Sequence, residues 1–143
     1  LEIRLGTDLV YIPRIEDAVQ RFGDRFLQRI YTRAEQQACG LAIDQDGDRP
    51  QAQSVTVSPG VIERLAARWA AKEAVVKALG TGWRGIGYRE VEIQRQPSGA
   101  PWVCLSGPMA HTLAATGSTY QWQLSLSHDG HYAIASAILI CLP

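Results

Sequence analysis

Arg68-Trp69-Ala70-Ala71-Lys72-Glu73-Ala74-Val75-Val76-Lys77-Ala78-Leu79-Gly80 lies inside the longest helical pattern of the chain. Ser58 is placed to cap that helix, and Pro59 stands at its first position, where a missing N–H costs nothing. Gly80 suits the left-handed residue that ends it. At 100° per residue, Ile62, Leu65, Ala66, Trp69 and Val76 fall on one side, and Glu73 falls near the middle of that side. A carboxylate on an apolar helical face is costly unless it is paired, protonated or bound to a metal. Lys77, one turn on, shares the edge of the same face. Two readings stand: a structural Glu73–Lys77 pair, and a cation ligand beside a phosphate-binding lysine.

Upstream of this helix, residues 2–9 alternate Ile3, Leu5, Thr7 and Leu9 against Arg4, Gly6 and Asp8, which predicts a half-buried strand with Asp8 near its C-terminal end. Pro13 opens a helix with Ile15, Val19 and Phe22 on one face. Arg14 and Arg21 lie on its other faces, and Arg25 and Arg29 follow just beyond. These arginines form either a solvated surface or a local basic patch for an acidic partner. Thr32-Arg33-Ala34-Glu35 is a capping box, structural in itself, that starts a short helix. Residues 43–57 are rich in Asp, Gln, Gly and Pro without apolar periodicity, and predict an exposed loop.

Downstream, Gly80-Thr81-Gly82-Trp83-Arg84-Gly85 matches G-x-G-x-x-G, but it follows a helix and leads into a strand. A dinucleotide fingerprint has the opposite context, so that reading is rejected. Residues 88–95 and 102–105 predict a hairpin around the turn Pro97-Ser98-Gly99-Ala100-Pro101. A short helix over 107–115 starts at Pro108. Two strands, 120–127 with Trp122, Leu124 and Leu126 on one side and 132–140, flank the Asp129-Gly130 turn. The apolar run from Ile134 to Leu142 predicts a buried strand. The order β-α-α-α-β-β-α-β-β predicts an α+β fold: a mainly antiparallel sheet packed against one long helix. With 143 residues, one domain over 1–143 is expected.

Apolar residues make up 46% and charged residues 20%, and the formal net charge is zero. There is no global basic field for nucleic acid or an anionic membrane. No apolar run is long enough to span a bilayer, and no signal-peptide pattern is seen, so no membrane partner is expected. Cys39, Cys104 and Cys141 fit neither a zinc site nor a disulfide framework and predict free thiols in a reducing cytoplasm. Two carboxylates, Asp8 and Glu73, with Lys77, Arg68 and Lys72 near by, suit a hard cation such as Mg²⁺ and substrate phosphates. No G-x-x-x-x-G-K-[ST] loop is present for an ordinary NTPase, and no G-x-S-x-G for a hydrolase. His128, ending a strand at a turn, reads more readily as a satisfied structural residue than as a catalyst.

Several motifs, in order, resemble one family. Gly6-Thr7-Asp8-Leu9-Val10 with Arg14 resembles an N-terminal G-x-D motif followed by an arginine. Tyr31-Thr32-Arg33-Ala34-Glu35 resembles F-T-x-x-E, with Tyr in place of Phe. Arg68 to Ala78 resembles W/F-A-A-K-E-A-x-x-K-A, the most specific of the set. Gly80-Thr81-Gly82, Ser98-Gly99-Ala100-Pro101 and Leu124-Ser125-Leu126-Ser127-His128 complete it. The family is the holo-acyl-carrier-protein synthases, the small class of 4′-phosphopantetheinyl transferases. The chain departs from it at residues 43–57, which are longer than usual, and at Ala100, where a lysine or arginine is common.

The resemblance implies transfer of the 4′-phosphopantetheine arm of coenzyme A to a serine of an apo acyl carrier protein. It implies Asp8 and Glu73 as Mg²⁺ ligands, Lys77 on phosphate oxygens, and Glu73, directly or through water, as acceptor of the serine proton. Arg68, Lys77, Gly99, Pro101, Ser127 and His128 would then hold coenzyme A. Arg14, Arg21 and Arg25 would grip the acidic carrier helix. The same resemblance implies a homotrimer with sites at subunit interfaces. The rivals are a non-catalytic coenzyme A- or carrier-binding protein on the same fold, and a single-strand nucleic-acid binder stacking bases on Trp83, Trp102 and Trp122.

Overall fold

The computed structural model describes residues 1–42 and 57–143. The chain runs β1 (Glu2–Tyr11), α1 (Ile12–Phe22), α2 (Asp24–Ile30), α3 (Arg33–Ala38), α4 (Pro59–Leu79), β2 (Val91–Arg95), β3 (Pro101–Leu105), α5 (Gly107–Ala115), β4 (Thr119–Asp129) and β5 (Tyr132–Leu142). One 3-10 turn, Tyr88–Glu90, precedes β2. The strands form a three-stranded antiparallel sheet in the order β1-β5-β4 and an antiparallel hairpin of β2 and β3. Helix α4 packs across the three-stranded sheet, so the α+β expectation holds. Of the loop expected at 43–57, all but Val57 lies outside the described residues; Val57 packs on the core.

The helix ends follow the sequence. The Ser58 hydroxyl accepts from the Val61 N–H at 3.4 Å, and Gly80 closes α4 at φ +79°. Thr32 and Glu35 form the expected capping box. One helix more than expected precedes the hairpin. Gly23, at φ +54°, ends α1 with its N–H on the Val19 carbonyl, and α2 starts immediately after it. Arg25 and Arg29 therefore lie on α2, and Phe22, expected on the core face, ends α1 exposed.

The sheet and α4 meet through small residues. Ala133, Ala135 and Ala137 of β5 and Ala70, Ala71, Ala74 and Ala78 of α4 are all buried. At Gly6 the approach is tightest: a Cβ there would stand 1.8 Å from the Ala74 carbonyl oxygen. Gly6, Asp8 and Val10 thus face α4. The apolar side of β1's alternation consequently points outward, with Ile3, Leu5 and Leu9 all at least 60% exposed. The register sets them opposite Ile140, Ile138 and Ile134 of β5. The expected burial of β5 therefore holds for its alanine side, whereas Ile134 on the other side is 41% exposed.

Helix α4 is buried around most of its girth, and its less buried side changes along its length. Glu63, Arg64 and Ala67 are uncovered in the first half, and Trp69, Glu73 and Lys77 in the second. At 3.6 residues per turn, Glu73 and Lys77 sit roughly 110° round the axis from the first group. This corrects the helical wheel. Glu73 is half-buried and lies at an uncovered margin, while the buried charges of α4 are Arg68 and Lys72. Lys72 donates to Glu35 of α3 and to the carbonyls of Tyr88 and Val91. Glu35 also accepts from the Thr32 and Ile93 N–H groups.

Candidate active site

Asp8 leaves β1 on the face that Gly6 presses against α4. Its side chain is 16% exposed, and Oδ1 accepts from Lys77 Nζ at 2.9 Å. Lys77 also donates to the Thr7 carbonyl at 3.0 Å. Glu73 stands one turn before Lys77 on α4, so the two side chains share a face. The partner of Lys77 is nevertheless Asp8; Glu73 Oε1 accepts instead from the indole Nε1 of Trp83 at 3.0 Å. Among the described residues, each carboxylate keeps its second oxygen without a hydrogen-bond partner. No third His, Cys, Asp or Glu groups with them there. Two monodentate carboxylates fit a cation that retains water and takes substrate oxygens, as Mg²⁺ does, and not a metal wanting a closed protein cage.

A second polar centre lies toward the N-terminal half of α4. Arg64, Arg68, Arg95, Ser127 and His128 line a cleft of about 140 Å³, with Glu63 at its edge. His128 Nε2 stands 3.6 Å from Glu63 Oε2. Arg68 is 3% exposed, and its Nε is buried without a hydrogen-bond partner among the described residues. An unsatisfied buried donor is costly, and an anion in this cleft would relieve it. Behind Arg68, burial pushes the Cys39 thiol up, and the guanidinium partly offsets that rise.

Gly99 and Pro101 sit at the β2–β3 turn. Gly99 adopts φ +87°, its carbonyl accepts from the Arg95 guanidinium at 3.0 Å, and Pro101 pairs with Arg95. The turn thereby braces an arginine of the cleft. Arg14 and Arg21 are exposed on α1 and Arg25 on α2. Arg21 lies 3.6 Å from Asp17 and over the Phe22 ring.

The sequence reading passed over Arg64 and Arg95 as site residues and gave Trp83 only a base-stacking role. Arg64 had a visible signal, its i,i+4 spacing from Arg68. Arg95 and Trp83 reach their places only through the turns that follow them. The three tryptophans proposed for base stacking share no platform: Trp83 packs on Tyr88, Trp122 packs against the core, and Trp102 alone is strongly exposed.

A sequence model of the 4′-phosphopantetheinyl transferase superfamily matches residues 4–137. The chain is 47% identical over 137 residues to the holo-[acyl-carrier-protein] synthase of Gloeobacter violaceus, covering 96% of this chain and 92% of that one. Its fold is similar to the acyl-carrier-protein synthase–coenzyme A complex of Chronobacterium ammoniagenes, with TM-score 0.75, 27% identity and all of both chains covered. The holo-[acyl-carrier-protein] synthase of Neisseria meningitidis is similar at TM-score 0.75 and 30% identity, over 96% of this chain and 97% of that one.

Proposed function

The chain belongs to the 4′-phosphopantetheinyl transferase superfamily, and from that premise we propose how it moves the 4′-phosphopantetheine group of coenzyme A to a serine hydroxyl of an apo acyl carrier protein. The observation that carries the reading is the Asp8–Lys77 contact with Glu73 one turn away: two acids and an ammonium at one end of one helix. Asp8 and Glu73 would hold Mg²⁺ through their uncommitted oxygens. When bound, that ion supplies charge neutralisation at the pyrophosphate. Lys77 binds phosphate oxygens and stabilises the charge that grows on them. Glu73, directly or through one water, accepts the serine proton as the serine oxygen bonds to phosphorus. The bond from that phosphorus to adenosine 3′,5′-bisphosphate breaks, and the bisphosphate leaves.

The arginine-lined cleft is suited to the nucleotide part of coenzyme A. Arg68, Ser127 and His128 face its phosphate, Arg64 and Arg95 add charge, and Gly99 and Pro101 shape the turn beside it. Arg95 stands in the cleft although Ala100 contributes no charge from the same turn. On the other flank, Arg14, Arg21 and Arg25 present an exposed basic surface to the acidic carrier helix, steering its approach.

Two features favour a homotrimer whose sites are shared between subunits. Lys77 and Glu63 are fourteen residues apart on α4, about 21 Å of helix axis. That is farther than the 3′-phosphate of one nucleotide lies from its pyrophosphate. A cleft from one copy set against the carboxylates of the next would bring the two centres within one ligand. The exposed Ile3, Leu5, Leu9 and Ile134 form an apolar sheet face able to make that contact. No described helix is long and apolar enough to cross a membrane; with three free thiols, we place the enzyme in a reducing cytoplasm.

Incubation with coenzyme A, Mg²⁺ and an apo carrier protein should add the mass of phosphopantetheine to the carrier. Glu73→Gln should abolish that gain with the fold intact. Coenzyme A binding without any gain on several carriers would mark a non-catalytic binder instead.

A further inference from the structure

Trp83 occupies a loop to which the reaction gives no role. After Gly80 the chain turns back through Gly82 at φ +58° and Gly85 at φ +73°. Trp83, between them, is carried against Tyr88, with ring centroids 4.1 Å apart. Tyr88 in turn stacks on Trp69 of α4 at 5.6 Å. The indole is thus held on one side by a packed aromatic row, and its single N–H points at Glu73 Oε1, 3.0 Å away. The indole N–H is a donor only, and it carries no charge. It fixes the carboxylate without the competition that a lysine or arginine would offer to a cation.

We propose that Trp83 is a positioning residue for Glu73: its indole N–H pins one carboxylate oxygen, so that the other faces the cation and substrate already oriented. This rests on the reading of Glu73 as a cation ligand given above. A half-buried glutamate near the end of a helix otherwise samples several rotamers, each to be frozen out when a ligand binds. A neutral donor behind a ligating carboxylate removes that cost in advance, as outer-shell hydrogen bonds do at metal sites.

The test is Trp83→Phe, which keeps a ring on Tyr88 and deletes the N–H. As a shape-matched control, 3-benzothienylalanine at position 83 replaces the N–H by sulfur. Binding of Mn²⁺, a spectroscopic stand-in for Mg²⁺, is measured by electron paramagnetic resonance with coenzyme A present. Both replacements should raise the Mn²⁺ dissociation constant about tenfold. They should lower kcat and leave the coenzyme A dissociation constant and the melting temperature near those of the unmodified protein. A merely structural tryptophan would show the opposite pattern: a lower melting temperature and unchanged Mn²⁺ binding in whatever remains folded. Glu73→Gln is run alongside. If it weakens Mn²⁺ binding and the Trp83 replacements do not, the positioning role is overturned. If Glu73→Gln itself leaves Mn²⁺ binding unchanged, the cation-ligand reading fails, and with it the basis of the proposal.

Discussion

Lys72 Nζ and Glu35 Oε1 meet at 2.7 Å with both side chains almost wholly removed from solvent. The pair joins the longest helix to one of the shortest, and its remaining hydrogen bonds reach the Thr32 N–H, the 3-10 turn and β2. Burial lowers the Lys72 pKa, and Glu35 opposes that fall. With carbonyls and carboxylate as its acceptors, the ammonium has its hydrogen-bonding capacity filled. Lys72→Met would strand the Glu35 carboxylate and leave two carbonyls short of a donor. The expected loss is about 3–5 kcal/mol in urea unfolding. Adding Glu35→Gln to it should recover part of that loss, because no unpaired charge then remains buried.

Lys77 makes the contrasting case on the same helix. Its side chain is half exposed, and its bond to Asp8 lies near solvent. Lys77→Met should change stability by less than about 1 kcal/mol. Transfer activity should nevertheless collapse. Equal effects on both quantities would show that the pair is scaffold and not site.

Gly6→Ala tests how β1 is positioned. The added methyl meets the backbone oxygen of Ala74 and the backbone nitrogen of Ala78, neither of which can rotate away as a side chain can. Overpacking of this kind costs about 1–3 kcal/mol where neighbours give way, and more where they are backbone. Since Asp8 is two residues along the same face, activity should fall further than the folded fraction does.

The outward face of the sheet predicts an assembly. Leu5→Glu places a charge among Ile3, Leu9 and the isoleucines of β5 without touching α4. Sedimentation should show the substituted chain dissociated, with its melting transition still cooperative. If Leu5→Glu sediments as the unsubstituted protein does, this face is not the contact.

Cys39 supplies a pH prediction. Its thiol is fully buried, and burial raises its pKa above the ordinary 9.0. Above that pH the unfolded chain releases the proton first, so the native state holds more protons and stability falls as pH rises. Cys39→Ala lacks that contribution. Its unfolding free energy should decline less than that of the unsubstituted protein as pH is raised from 9.0. Thiol reagents should label Cys104 and Cys141 in the native protein and reach Cys39 only on unfolding.

Local signals were legible where backbone chemistry decides them. The caps at Ser58, Thr32 and Gly80, the hairpin turn at Gly99 and the succession of strands along the chain all follow from residues adjacent in sequence. Helix α2 was not foreseen, because it starts directly after Gly23 with no side-chain cap to announce it. The facing of β1 was hidden for another reason. Apolar alternation marks which residues avoid water, not whether the chain's own helix or another surface covers them. Gly6 decides the matter by admitting a helix that Leu5 or Ile3 would hold off. At the site, the chemical types of Asp8, Glu73, Lys77 and His128 were legible. Their pairing was not, because the four-residue spacing on α4 offers Lys77 to Glu73, whereas its ion pair is with Asp8 of β1. Only the β1–α4 approach selects Asp8.

The aromatic row Trp83, Tyr88, Trp69, Phe26 and Tyr31 runs from the site margin into the core, each ring within 6.1 Å of the next. Two of its members are indoles, and the outer one donates to Glu73. Ring stacking fixes their mutual orientation, so a change at Glu73 should alter the part of the near-ultraviolet circular dichroism and emission that Trp83 and Trp69 contribute. Ligand arrival at Glu73 is then expected to register in that signal, readable without any added label.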